Sequence, residues 1–193
     1  MRVMSFLGDP PPSETVDTAF EADRNADGYV ANHTRLWMWR PELREDFYAL
    51  RSGVMSSSTL TEREFAVLVT ATASTLGDSY CSLVWGGKLA SATDEGTAVA
   101  VIAGNEPSAL SQRERVLAGW ARQLVRDPNA TGQADVDRLR GAGLDEGEIF
   151  DATAFVAFRL AFSTINDALG AAPDDELDER VPAAVRAAVS FGR

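Results

Sequence analysis

Apolar residues along this chain recur at helical spacing, and a helix-start signal appears among them three times. It reads Leu60-Thr61-Glu62-Arg63-Glu64, Leu110-Ser111-Gln112-Arg113-Glu114 and Leu144-Asp145-Glu146-Gly147-Glu148. In each, an N-cap residue (Thr61, Ser111 or Asp145) is followed three positions later by a Glu that can reach back to the N-cap amide. A Leu just outside supplies half of a hydrophobic staple. The first signal opens a run to Leu76 with almost no charge, which predicts a helix buried on most sides and ended by Gly77. The second predicts a helix to about Arg126, stopped before Asp127-Pro128, and the third a helix from about Glu146 to Leu169, ended by Gly170. Further helices are expected at about 14–24, 30–39, 42–55, 80–91, 94–103, 134–140 and 181–190. Period-two alternation is nowhere convincing and the connections are short. Helices with one apolar stripe must stack on one another, so the expected architecture is an all-α orthogonal bundle.

Two segments stand outside this pattern. Residues 1–13 contain Pro10-Pro11-Pro12 and are expected to form an irregular arm, leaving 14–193 as a single domain. The stretch after Ala171, with Asp174-Asp175-Glu176, is expected to be an acidic connector to the last helix. Neither is expected to carry chemistry.

The composition narrows the function. A length of 193 residues with 45% apolar content is enough for one core. Lys and Arg number 18 against 29 Asp and Glu, a formal charge of −11 that repels phosphate backbones and anionic membranes. Neither a nucleic acid nor a membrane is therefore an expected partner. The first nine residues hold too few apolar side chains for a secretory signal, and no stretch approaches the ~20 apolar residues of a membrane span. A cytoplasmic location is expected. One cysteine, Cys81, and one histidine, His33, exclude a disulfide within the chain and argue against a metal site. No Gly-rich phosphate loop is present, and no cofactor is expected.

The capped apolar helix, tight turn and Ser79-Tyr80-Cys81 resemble the core signature of the AhpD-like / carboxymuconolactone decarboxylase family. Gly28-Tyr29-Val30-Ala31-Asn32 and Arg40-Pro41-Glu42-Leu43 upstream are similar to the N-terminal part of its peroxidase-related subgroup. The segments 109–115, 135–140 and 168–170 resemble its second half, so the likeness runs from about Asp27 to Gly170. The resemblance implies an AhpD-like helical bundle and assembly as a homo-oligomer. It also implies a Cys-x-x-Cys-x-x-x-His motif with a glutamate on the preceding helix. With the second cysteine aligned on Cys81, Asp78 stands at the first, Trp85 at the histidine and Ala66 at the glutamate. A dithiol peroxidase needs a second thiol to resolve the sulfenic acid, and Asp78 cannot do so.

Each candidate has a structural reading beside a functional one. Cys81 in a first helical turn gains thiolate character from the dipole, against which stand Asp78 and the habit of lone cysteines to be buried apolar residues. Asp78 is either an N-cap or a general base of raised pKa. Tyr80 beside it is a candidate for substrate binding. Trp85 shares a helical face with Cys81, and either fills the pocket, the reading preferred here, or forms an aromatic wall. Glu64 is a candidate for substrate binding that already serves in a capping box, and lies about 200° around the helix from position 66. His33 is the sole imidazole for acid–base work. Arg159 is an anion anchor or an ion-pair partner. Phe155, Phe158 and Phe162 read as core.

Three functions follow. The first is an enzyme acting on a small organic molecule without a bound cofactor, as a lyase, isomerase or oxidoreductase, with Cys81, Asp78 and His33 as its chemical groups. The second is a catalytically silent binding or assembly protein. The third is a single-cysteine peroxidase that uses an external thiol.

Overall fold

The computed structural model describes residues 5–193, and among them the secondary structure is entirely helical. The helices are α1 (Glu14–Asp27), α2 (Asn32–Trp37), α3 (Pro41–Ser57), α4 (Glu62–Leu76), α5 (Ser79–Ala92), α6 (Glu95–Ile102), α7 (Gln112–Arg126), α8 (Gln133–Gly141), α9 (Glu146–Ala168), α10 (Leu177–Arg180) and α11 (Ala183–Ala188). A single 3₁₀ turn at Pro128–Ala130 follows α7.

The central element is α4. Every residue from Glu64 to Ala73 is buried, as the near absence of charge in this run requires. Its Ala and Thr side chains are short, so α5, α6, α7 and α9 all reach it. Phe65 meets Phe155 of α9 with ring centroids 4.6 Å apart, and both are fully buried. Gly86 of α5 allows a second close approach. A Cβ there would stand 2.9 Å from Val185 of α11 and 3.0 Å from Ile102 of α6.

All three capping boxes form, on α4, α7 and α9. The bundle brings their N-termini together, and the capping glutamates are tied by arginines from the neighbouring start. Arg113 Nε lies 2.5 Å from Glu64 and its Nη2 2.5 Å from Glu148, while Arg63 Nε lies 2.5 Å from Glu114. Each carboxylate thus neutralises helix-end N–H groups and a guanidinium at once.

Several boundaries depart from the sequence expectation. The second helix is shortened to Asn32–Trp37, and Pro41, whose missing N–H suits a first helical position, opens α3. Pro182 delays the last helix to Ala183. The acidic connector holds a short helix, α10, and Asp174 within it is buried. Residues 5–13 of the N-terminal arm carry no helix, and Phe6 of this stretch docks by donating its N–H to the Leu169 carbonyl at 2.8 Å.

Candidate active site

Asp78 is the N-cap of α5. Its Oδ1 accepts the Cys81 N–H at 2.9 Å, which places the cysteine in the first helical turn. Both residues are buried, and Asp78 Oδ2 has no hydrogen-bond partner. From α9, Arg159 donates through Nη2 to the Cys81 sulfur at 2.8 Å, and one turn later Ser163 Oγ lies 3.8 Å from it. Arg159 is 2% exposed and makes no ion pair among the described residues. Its guanidinium lies 5.5 Å from the Trp85 ring centroid and 4.9 Å from that of Phe162.

Around this pair sits a small aromatic core of its own. Trp37 stacks on Phe162 at 5.3 Å and donates its indole N–H to Asn166 Oδ1 at 2.8 Å. Phe47 and Tyr48 of α3 close the cluster. Phe162 therefore belongs to the wall of the site, whereas Phe155 packs in the main core as expected.

Above Cys81 opens a cavity of about 950 Å³ lined by His33, Tyr80, Cys81, Trp85 and Arg159. Trp85 does not close it, contrary to the preferred reading of the sequence. Its ring stands in the wall, with the Lys88 ammonium 4.4 Å from its centroid. Ala66 lines the same cavity, so a methyl group stands at the position the resemblance gives to a glutamate.

Burial pushes the Cys81 thiol up to about 12; Arg159 opposes the rise, while the charge of Asp78 adds to it. The helix start alone would favour the thiolate, but loss of hydration outweighs it, and Cys81 rests protonated at neutral pH. His33 is pulled down to about 3 by burial and by the charges of Arg44, Arg159 and Arg51. It is a neutral imidazole at neutral pH, with one nitrogen to accept a proton and one N–H to donate.

Tyr80 and His33 face each other with ring centroids 5.5 Å apart. Tyr80 donates its hydroxyl in a short hydrogen bond to Asp174 Oδ2, and Asp174 Oδ1 accepts the Asn32 N–H at 2.8 Å. Burial and the Asp174 charge raise the Tyr80 pKa, and burial likewise raises that of Asp174. Asp174 is a site residue that the sequence reading set aside with the acidic connector. Nothing in the run Asp174-Asp175-Glu176 distinguishes the buried acid from its solvated neighbours. Arg51 was also missed, although Phe47, Tyr48, Arg51 and Met55 recur at helical spacing on α3 and mark its inward face.

The structure thus brings together Cys81, Asp78, His33, Tyr80 and Trp85, and it leaves Glu64 out. Glu64 accepts the Thr61 N–H at 2.8 Å and pairs with Arg113, beside a separate surface depression. Among the described residues no group of three or more His, Cys, Asp or Glu is placed to hold a metal ion, and no helix is long and apolar enough to cross a membrane.

No protein-family model and no curated protein matches the sequence. Solved structures do match over nearly the whole chain. An uncharacterized peroxidase-related protein from Ralstonia eutropha JMP134, described as an alkylhydroperoxidase AhpD core, has 22% identity and a TM-score of 0.79, over 94% of this chain and all of the other. An uncharacterized peroxidase-related protein from Silicibacter sp. TM1040 has 21% identity and a TM-score of 0.81, over 91% of this chain and 95% of its own. A variant of the debrominase Bmp8, solved in complex with 2,3,4-tribromopyrrole, has 16% identity and a TM-score of 0.71, over 95% of each chain. The architecture built around α4 is the AhpD-like fold of the peroxidase-related proteins.

Proposed function

We propose that the chain is an enzyme that binds a small organic molecule in the cavity over Cys81 and works on it through that single thiol, in the reducing cytoplasm where such a thiol persists. The observation that supports this most is the contact between Arg159 Nη2 and the Cys81 sulfur, 2.8 Å long, at the floor of an open cavity. A thiolate forming there meets a fixed positive charge, and the free oxygen of Asp78 is the acceptor for the departing proton. The sulfur pair then adds to an electron-poor double bond of the substrate, whose π electrons move onto the neighbouring acceptor group. Rotation about the resulting single bond and return of those electrons expel the sulfur, which takes its proton back from Asp78. Addition and expulsion leave the protein unchanged, which suits an isomerase running on its own side chains. Trp85 and Phe162 supply flat walls, and Tyr80, held by Asp174, supplies an orienting hydroxyl. That a debrominase of this fold is seen with a small aromatic ring supports the ligand class.

Self-association is part of the same proposal. Support comes from the family resemblance and from Leu43 and Leu50, 55% and 57% exposed, one above the other on α3. Sedimentation velocity should show a homo-oligomer, and a monomer at all concentrations would remove that part.

The test of the activity is cis–trans isomerisation of a panel of electron-poor alkenes by wild type and Cys81→Ser. Conversion should be lost with the sulfur; conversion that survives in Cys81→Ser contradicts the proposal. The raised thiol pKa favours a second reading, a silent binding protein, whose mark is ligand binding with no turnover and no difference between the two proteins. Peroxide consumption that needs an external thiol and disappears in Cys81→Ser would instead select a single-cysteine peroxidase.

A further inference from the structure

The chain as a whole is strongly acidic, yet the cavity carries positive charge that its own carboxylates do not neutralise. Arg63 is engaged by Glu114, and Arg180 by Asp27. Asp174 is occupied by Tyr80 and the Asn32 amide. Arg51, Lys88 and Arg159 line the same space, and among the described residues none of the three makes an ion pair. Arg51 lies 4.5 Å from the Tyr48 ring centroid, Lys88 lies 4.4 Å from that of Trp85, and Arg159 sits between Trp85 and Phe162. Arg159 is 2% exposed, and its Nε, like that of Arg51, is enclosed without a hydrogen-bond partner. Glu62, the remaining acid of the lining, stands exposed at the rim.

A guanidinium withdrawn from water costs several kcal/mol unless an opposite charge arrives. The three cations also oppose one another. Arg159 adds to the lowering that burial imposes on Arg51, and Arg51 and Arg159 do the same to Lys88. The rings between them are faces for a flat apolar group, while the guanidinium forks match the two oxygens of a carboxylate.

We propose that Arg51, Lys88 and Arg159 form a carboxylate-binding subsite, so that the molecule brought to Cys81 is an organic acid whose anion sits among these cations and whose apolar body lies against Trp85 and Phe162. This rests on the reading of the cavity as the small-molecule site of Cys81, and it names the substrate class. Arg159 then has two tasks, holding the substrate anion and facing the sulfur, which sets the reacting carbon within one small molecule's length of the carboxylate.

Isothermal titration of the full chain with benzoate and with its uncharged analogue benzamide tests it. Benzoate should bind at least about tenfold more tightly than benzamide, the size expected for one desolvated charge-assisted hydrogen bond. Arg51→Met and Lys88→Met should each weaken benzoate by about tenfold while leaving benzamide unchanged. Arg138→Met, on the exposed side of α8, should leave both unchanged. Equal binding of the two compounds overturns the subsite while leaving the cavity as a small-molecule site. Binding of neither overturns it too, and the role of Cys81 is then judged by turnover and labelling alone. Inorganic phosphate binding as tightly as benzoate overturns the apolar half of the proposal.

Discussion

Arg159 concentrates the opposing demands on this site in one side chain. Its charge is buried against a sulfur and two rings, with no ion-pair partner among the described residues to offset the lost hydration. Folding therefore bears a cost that the ring and sulfur contacts offset in part and a bound anion or a thiolate relieves further. The long apolar chain of methionine occupies similar space without that cost. Arg159→Met is thus expected to stabilise the protein by about 1 kcal/mol or more, read as a rise in the urea midpoint, and to abolish turnover. Loss of stability on this substitution would mean that the guanidinium is structurally satisfied. Asp78 separates into two functions in the same way. Asparagine caps a helix about as well as aspartate, so Asp78→Asn should fold normally. It removes the negative charge that helps hold the thiol proton, and Cys81 should then alkylate faster at a fixed pH.

At the scale of helices, most of the architecture was legible in the sequence, because capping boxes are short-range devices. A Ser, Thr or Asp and a Glu three residues on satisfy each other within one turn, whatever the rest of the chain does. The loss of one cap by Thr61→Ala should cost about 1 kcal/mol in chemical denaturation, from the cap alone. Ser111→Ala should behave alike. At the start of α9, Glu148→Gln should cost more than a cap, since the Arg113 fork loses a charged partner as well. The buried run of α4 and the placement of Cys81 at the start of α5 were likewise readable from neighbours in sequence. The cavity was not, because its wall is assembled from elements far apart in the chain. Asp174 is 94 residues from its partner Tyr80, and Arg159 is 78 residues from Cys81. Composition gives a buried Asp and a solvated Asp the same letter. Trp85 was misjudged for a related reason: whether a large ring fills a space or lines it depends on how far α3 stands off, and α3 buries none of its residues completely. Gly86 carries no local signal in the sequence, although α6 and α11 close against its missing side chain. Gly86→Val should force these helices apart and cost about 1–3 kcal/mol, seen as a lowered unfolding midpoint.

For the molecule as a whole, the dependence of stability on pH follows from groups that folding perturbs. His33 has a folded pKa of about 3, below its ordinary 6.5. The unfolded chain therefore binds more protons between these values, and stability falls as the pH drops from about 6.5 toward 3. Asp167 acts in the opposite sense. Burial and the charge of Asp78 raise it to about 6, so folding takes up a proton between 6 and the ordinary 3.8, and this group adds stability as the pH falls through that window. The two contributions partly cancel over the shared range, which single variants separate. His33→Gln should flatten the acid-side loss of stability, and Asp167→Asn should steepen it. Thermal unfolding of the three proteins across this pH range checks both signs.

The most direct measurement is the rate at which iodoacetamide alkylates Cys81 in the folded protein as the pH is raised from neutral, followed by intact mass in wild type, Asp78→Asn and Arg159→Met. A small neutral reagent must enter the cavity to reach the sulfur, and it reports the thiolate fraction there. Labelling should be slow at neutral pH and climb steadily without a plateau, faster in Asp78→Asn and slower in Arg159→Met. A plateau near neutral pH, rates indifferent to both substitutions, or a sulfur that never labels until the protein unfolds would contradict the account.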